Sequence, residues 1–271
     1  MKSLQNKKVL LVGASKGIGR ALALQLGEMG CDLFLVSRDE QALVELCDTI
    51  NNYNNNYYYN NKDKSTQDTN RAVYRICDVS KKEEVKYSVE KALEEFGKID
   101  IAIINSGING SEGLDDFKSG IFKRIYDVNI YGVLYFLEYL IPVMKSCGGG
   151  IIAGVSSLAD IRGFPGSGAY SSSKAAVTTI LEAAHLELSR FNIKVLTIKP
   201  GFVRTNMTEK NKFPMPFIIS PEKAANYIIK GLRKEKILIA FPLITKILSD
   251  FGKILPKRVF NFIFNKKNFK F

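Results

Sequence analysis

A chain of 271 residues with 46% hydrophobic and 24% charged residues, 21 Gly and 8 Pro has the composition of a globular protein and the length of one domain with trimmings. Collagen-like, disulfide-rich and wholly disordered classes are excluded. Four cysteines, Cys31, Cys47, Cys77 and Cys147, show no CxxC or CxxxH spacing, and His185 is the only histidine; this argues against a metal site and for reduced thiols in a cytoplasmic setting. Lys and Arg number 39 against 27 Asp and Glu, a formal charge of +12, which draws the chain toward polyanions or acidic surfaces.

The first eight residues are polar and run into a short apolar strand, without the long apolar region of a secretory signal. No stretch reaches 18 uninterrupted apolar residues, so a membrane-spanning helix is not expected. From Lys8 the order is apolar run, glycine-rich turn, helical pattern and second apolar run, one βαβ unit. Further strands are expected at 72–77, 99–105, 150–155 and 194–199, separated by helical stretches. Short apolar runs without alternation suit strands covered on both faces. The fold class is therefore α/β: a single doubly wound, Rossmann-like parallel sheet with helices on both faces. Residues 1–240 form this domain. Within it the Asn- and Tyr-rich stretch 51–70 has no periodic apolar face and is expected to be a disordered insertion. Residues 241–271 form a tail.

Gly13, Gly17 and Gly19 stand in the turn Gly13-Ala14-Ser15-Lys16-Gly17-Ile18-Gly19 between the first strand and the first helix. Missing side chains there let backbone N–H groups and the helix start approach a pyrophosphate. The second strand ends in Ser37-Arg38. An acid at this point favours a free ribose 2′-hydroxyl, whereas the Arg38 guanidinium, with Lys16 beside it, suits a 2′-phosphate. The expected cofactor is NADP(H), the alternative for Arg38 being a surface pair with Asp39 or Glu40.

Near the middle of the chain Ser157 follows an apolar run and lies 13 residues before Tyr170, so it projects from the carboxyl end of a strand, where ligands sit in such sheets. Tyr170 and Lys174 are one helical turn apart, and an ammonium near the phenol favours its ionised form. His185 lies 15 residues past Tyr170 on the same helix, too far to share that site, and is read as structural.

These residues together resemble the short-chain dehydrogenase/reductase family over about residues 7–205. The resemblance rests on the glycine turn, Asp78-Val79 after the third strand, Asn105-Ser106-Gly107 after the fourth, Asn129 in DVNIYG, the Ser157, Tyr170 and Lys174 set, and Pro200-Gly201. Two positions depart from the pattern: Asn-Ser-Gly replaces Asn-Ala-Gly, and Val12 replaces a threonine before the first glycine. The resemblance implies that Tyr170 is the general acid or base, that Lys174 holds the nicotinamide ribose and depresses the phenol's pKa, that Ser157 binds the substrate oxygen, and that Asn129 positions a proton-passing water. It implies adenine contacts from Asp78 and Val79, a ribose wall from Asn105, Ser106 and Gly107, and carboxamide contacts from Val203 and Thr205 after the Pro200-Gly201 turn. It needs no metal, and its members are commonly dimers or tetramers.

The covering segment 206–220 contains Met207, Phe213, Met215, Pro216 and Phe217, which either line an apolar pocket or pack as core. Ser220-Pro221 reads as a helix start. The tail mixes seven Phe with seven Lys or Arg and one Asp, a net +6, and Pro256 divides it. Its apolar face packs on the body or a second subunit, or alternatively makes peripheral contact with the cytosolic face of a membrane. The charge is concentrated in this Phe-rich tail and not along a groove, so nucleic acid is not an expected partner. The expected function is interconversion of a carbonyl and an alcohol by hydride transfer, in the direction of reduction, on an apolar, lipid-like small-molecule substrate. The alternative is a catalytically idle NADP(H)-binding sensor or scaffold.

Overall fold

The computed structural model describes residues 3–61, 71–110, 114, 117–209 and 214–264. Seven strands form one parallel sheet: β1 (Lys8–Val12), β2 (Asp32–Ser37), β3 (Ala72–Ile76), β4 (Ile101–Ile104), β5 (Gly150–Val155), β6 (Ile193–Pro200) and β7 (Leu238–Phe241), in the order β3-β2-β1-β4-β5-β6-β7. The central strands are apolar along most of their length because both faces are covered. In β1, β2, β4 and β5 nearly every residue is buried, as a doubly wound sheet requires.

Helices α1 (Gly17–Glu28), α2 (Glu40–Asn61) and α7 (Pro221–Arg233) cover one face, where Leu22, Leu26, Leu43, Leu46, Ile228 and Leu232 join Leu11, Leu35 and Ile103 in one core layer. Helices α3 (Lys82–Phe96), α5 (Gly132–Ser146) and α6 (Gly168–Leu188) cover the other, with Val85, Val89, Phe136, Leu140, Val177 and Leu181 against Leu10, Phe34 and Ile104. The order in which successive strands are laid down reverses between β1 and β4, which opens a crevice at the carboxyl ends of these strands.

Three features differ from the expectation. Residues 51–61 continue α2 instead of leaving the fold. No glycine or proline interrupts them, and Asn51 ties the helix to the sheet: its Nδ2 donates to the Ala72 carbonyl at 3.0 Å and its Oδ1 accepts from the Ala72 N–H at 2.8 Å. The rest of that stretch, 62–70, lies outside the described residues. Second, β7 is a strand missed in the sequence, so a boundary at 240/241 falls inside the sheet; Phe241 is buried and stacks on Tyr227 with centroids 5.2 Å apart. Third, the helix carrying Asn129 contains a π-helical turn, Asp127–Tyr131, between α4 (Ser119–Tyr126) and α5.

Other expectations are met locally. Ser220 caps α7, its hydroxyl accepting from the Lys223 N–H at 3.3 Å with Pro221 as the first helical residue. His185 is on α6 with Nδ1 3.1 Å from the Val195 carbonyl, a packing contact to β6. The tail divides at Pro256 into α8 (Leu243–Ile254) and α9 (Lys257–Phe264).

Candidate active site

The glycine turn after β1 is shaped by backbone contact. Gly13 has φ +76°, and a Cβ there would lie 2.9 Å from the backbone of Ser106, while a Cβ on Gly19 would lie 2.0 Å from the Gly13 carbonyl oxygen. Neither position accepts a side chain without moving main chain. Asn105 Nδ2 donates to that same carbonyl at 3.0 Å, which links the loops after β1 and β4. The first helical N–H groups of α1 receive no side-chain cap, since Lys16 at the capping position makes no such bond. An uncapped helix start beside a side-chain-free turn is a cradle for an anion.

The loop after β2 supplies positive charge. Arg38 is largely exposed, and its Nη1 lies 3.9 Å from Asp78 Oδ2, a long contact. Lys16 Nζ is 2.8 Å from Asp39 Oδ2, and this hydrogen bond, with one from the Ala42 N–H, holds the Asp39 carboxyl below the usual carboxylate range. The surface pair considered for Arg38 is thus made by Lys16. Ser15 and Ser37 hydroxyls meet at 2.7 Å and close the floor between the two loops.

On the other side of the crevice β5 delivers Ser157 and the first turns of α6 deliver Tyr170 and Lys174. Lys174 is almost fully buried. Its Nζ donates to the Val155 carbonyl at 2.8 Å and lies 5.8 Å from the centre of the Tyr170 ring. Burial pushes the ammonium's pKa down to about 8. Burial also pushes the Tyr170 phenol above its ordinary range; a hydrogen bond with Ser157 draws it back, and the Asp160 carboxylate raises it further. This corrects the expectation that Lys174 depresses the phenol's pKa. In the protein alone desolvation outweighs the cation, which is committed to a carbonyl instead.

Asn129 lies in the π-helical turn and is fully buried. Its Nδ2 donates to the Ile108 carbonyl at 3.0 Å and to Ser173 Oγ at 2.9 Å, and its Oδ1 accepts from the Ile108 N–H at 2.8 Å. Both amide hydrogens are used, leaving one lone pair on Oδ1. A Cβ on Gly107 would stand 3.4 Å from that oxygen and 3.3 Å from Lys174 Nζ, so the glycine keeps the space between the two groups open.

Behind this set runs a buried polar chain. Ser156 Oγ donates to the Lys174 carbonyl at 2.8 Å and meets Thr178 Oγ1 at 2.7 Å. Thr178 donates to Asp160 Oδ2 at 2.5 Å, and Lys199 Nζ pairs with the same oxygen at 2.8 Å. No sequence spacing announced the pairing of Asp160 with Lys199, which come from different elements.

One cleft of about 380 Å³ brings these parts together. Gly13, Ser15, Lys16, Gly17, Ile18, Arg38, Asp78, Val79, Asn105, Ser106, Gly107, Ser157, Tyr170, Lys174, Pro200, Gly201, Val203 and Thr205 line it. Gly19 and Asn129 do not: the first is under the Gly13 carbonyl, the second one layer behind Gly107. Ser37 also lines the cleft, beside Arg38; Cys77, Ile108 and Val128 line it too and went unnoticed in the sequence, since each is a neighbour of a motif and not part of one. Of the covering segment, Met207 reaches the cleft; Phe217 is exposed elsewhere, at φ +58°, and Phe213 lies outside the described residues. The cleft thus joins an anion cradle, two cations and a Ser-Tyr-Lys set, an arrangement able to hold a phosphorylated dinucleotide beside a proton donor.

Comparison with known proteins agrees with this geometry. Residues 7–214 match the family model for short chain dehydrogenase. An uncharacterised oxidoreductase of Myxococcus xanthus is 29% identical over 262 residues, covering 96% of this chain and 97% of that one. Among solved structures, a short-chain dehydrogenase/reductase from Burkholderia phymatum in complex with NAD superposes with a TM-score of 0.80 at 20% identity, covering 92% of this chain and 94% of that one. The 3-ketoacyl-(acyl-carrier-protein) reductase from Brucella melitensis, complexed with NADH, gives 0.74 at 26% identity, covering 88% and 96%.

Proposed function

The chain belongs to the short-chain dehydrogenase family of oxidoreductases, and from that premise we propose that it is an NADP(H)-dependent reductase of apolar carbonyl compounds. The observation that carries the reading is the convergence, in one cleft, of buried Ser157 and Lys174 and half-buried Tyr170 with the uncapped start of α1 and the side chains of Arg38 and Lys16. The residues present fit such a cofactor. The glycine turn leaves room for a pyrophosphate where any Cβ would collide with backbone. Arg38 and Lys16 flank the end of β2, where a 2′-phosphate is distinguished from a hydroxyl, and Asp78, Val79, Asn105, Ser106 and Gly107 wall the adenosine side. Pro200, Gly201, Val203 and Thr205 wall the carboxamide side.

When bound, the nicotinamide group supplies the hydride for interconversion of carbonyl and alcohol. The protein supplies the proton and the orientation. Ser157 Oγ already accepts from the Ala159 N–H at 3.1 Å, so its own O–H is aimed by that contact and donates to the substrate oxygen. The Tyr170 phenol, kept protonated by burial, donates its proton to the same oxygen as it gains charge, which favours the direction of reduction. Lys174 holds the ribose from the carboxyl end of β5. The free lone pair of Asn129 Oδ1 and Lys174 Nζ face one gap at Gly107, which suits a water that returns a proton to Tyr170. Met207, Ile108 and Val128 give the cleft an apolar wall, which supports an apolar substrate. Exposed Leu186 on α6 and Tyr131 at the head of α5 support pairing of two copies.

The test is consumption of NADPH and NADH by wild type and Tyr170→Phe over short, aromatic and long-chain ketones. Wild type is expected to oxidise NADPH with at least one apolar ketone, and Tyr170→Phe to bind NADPH with unchanged affinity while losing a hundredfold or more in kcat, on the order of general acid catalysis. Equal turnover by both proteins, or a wild-type preference for NADH, sinks the reading.

A further inference from the structure

Helix α8 is built inside out. The residues it turns toward the body are small: Ser249 is buried and its hydroxyl donates to the Leu158 carbonyl at 3.0 Å, and Gly252 is buried with its missing Cβ 3.1 Å from Ile161. Thr245 Cγ2 sits 2.9 Å from where Gly201 would carry a Cβ. The opposite arc, about 140° wide at 100° per residue, consists of Leu243, Ile244, Ile247, Leu248, Phe251 and Ile254, and each is more than half exposed. A helix that serves only its own domain does the reverse. Val259 and Ile263 of α9 add to the exposed apolar surface. Cations follow it in the chain: Lys257 and Arg258 at the start of α9 are exposed, and residues 241–271 together carry +6.

We propose that α8 and α9 dock on an anionic lipid surface, with the apolar arc in the interface and the basic side chains among the headgroups. Charge complementarity selects this occupant. A second copy seated on the same face would bring two basic segments together, whereas anionic lipid neutralises them. The mode is peripheral, since no helix among the described residues is long and apolar enough to cross a membrane. Apolar burial and electrostatic attraction together meet the two-signal requirement for stable attachment.

Co-sedimentation of the full chain with vesicles of phosphatidylcholine, alone or mixed with phosphatidylserine, tests this. Wild type is expected to pellet with the mixed vesicles and to stay largely in solution with phosphatidylcholine alone. Leu248→Glu with Phe251→Glu lowers binding to mixed vesicles at least tenfold. Lys257→Gln with Arg258→Gln, which leaves the apolar arc intact, lowers it about fivefold per cation removed. The proposal is overturned if wild type ignores both vesicle types or binds them equally. It is also overturned if, without lipid, the Leu248→Glu, Phe251→Glu protein dissociates an oligomer that wild type forms, for then a second copy covers this face.

Discussion

Replacing Lys174 by methionine should abolish reduction and at the same time make the protein more stable near neutral pH. The ammonium is buried and donates to the Val155 carbonyl at 2.8 Å, and burial pushes its pKa down to about 8 from the ordinary 10.5. Below pH 8 the folded state must therefore carry a charge it holds less well than water does. The difference between 10.5 and about 8 corresponds to roughly 3 kcal/mol of lost stability. Methionine of similar length removes that cost and forfeits the hydrogen bond to Val155, worth on the order of 1 to 2 kcal/mol, so the net gain is about 1 to 2 kcal/mol. The sign with pH follows from the same numbers. Between about 8 and 10.5 the unfolded chain binds more protons than the folded one, so wild type gains stability as pH rises through this window. From pH 7 to pH 9 the gain is about 1 kcal/mol, and Lys174→Met lacks it. Urea denaturation of both proteins at the two pH values, without cofactor, measures each quantity. A variant less stable than wild type at pH 7, with the same pH slope, would refute the assignment of a strained buried ammonium.

Two further outcomes follow from the charges around the cleft. Arg38→Ala removes one charge-assisted contact to a 2′-phosphate from a largely exposed side chain; NADPH should bind about tenfold more weakly and NADH unchanged, by calorimetric titration, an equal loss for both being the contrary result. Lys199→Met leaves the Asp160 carboxylate buried with only Thr178 as partner. It should cost about 3 kcal/mol in thermal or chemical denaturation, and the addition of Asp160→Asn should restore most of that.

Much of the fold could be read before any coordinates, because a parallel sheet covered on both faces writes itself as apolar runs bounded by turns. The strands β1, β2, β4, β5 and β6 and the glycine turn were legible for that reason, as was the order of Ser157, Tyr170 and Lys174. Strand β7 was not. Its four residues sit in a run of apolar and basic residues that reads equally well as the start of the tail, and only pairing with β6 separates them. The Asn- and Tyr-rich end of α2 has no apolar period to reveal it, and its anchor, Asn51 on Ala72, is a tertiary contact. The π-helical turn at Asn129 adds one residue to a helical stretch, too small a change for periodicity to show. The tail was recognisably amphipathic, yet which way its apolar arc faces was decided by the small residues Ser249 and Gly252, which let α8 lie close to the turn at Leu158–Ile161.

The attachment of that tail also determines where the chain tolerates being cut. Arg162, five residues beyond Ser157, reaches across with its guanidinium to the carbonyls of Lys253 and Leu255, at 3.0 and 2.5 Å, and lies over the ring of Phe260. Phe164 of the same loop packs against Phe260 and Phe264. Shortening the protein at residue 240, as composition alone suggests, would strip the sheet of Phe241, take away the acceptors of Arg162 and leave the loop after Ser157 without its outer wall. A version trimmed for crystallisation or expression should keep the chain through Phe264, because the smallest unit that folds with an intact Ser157 loop includes both terminal helices.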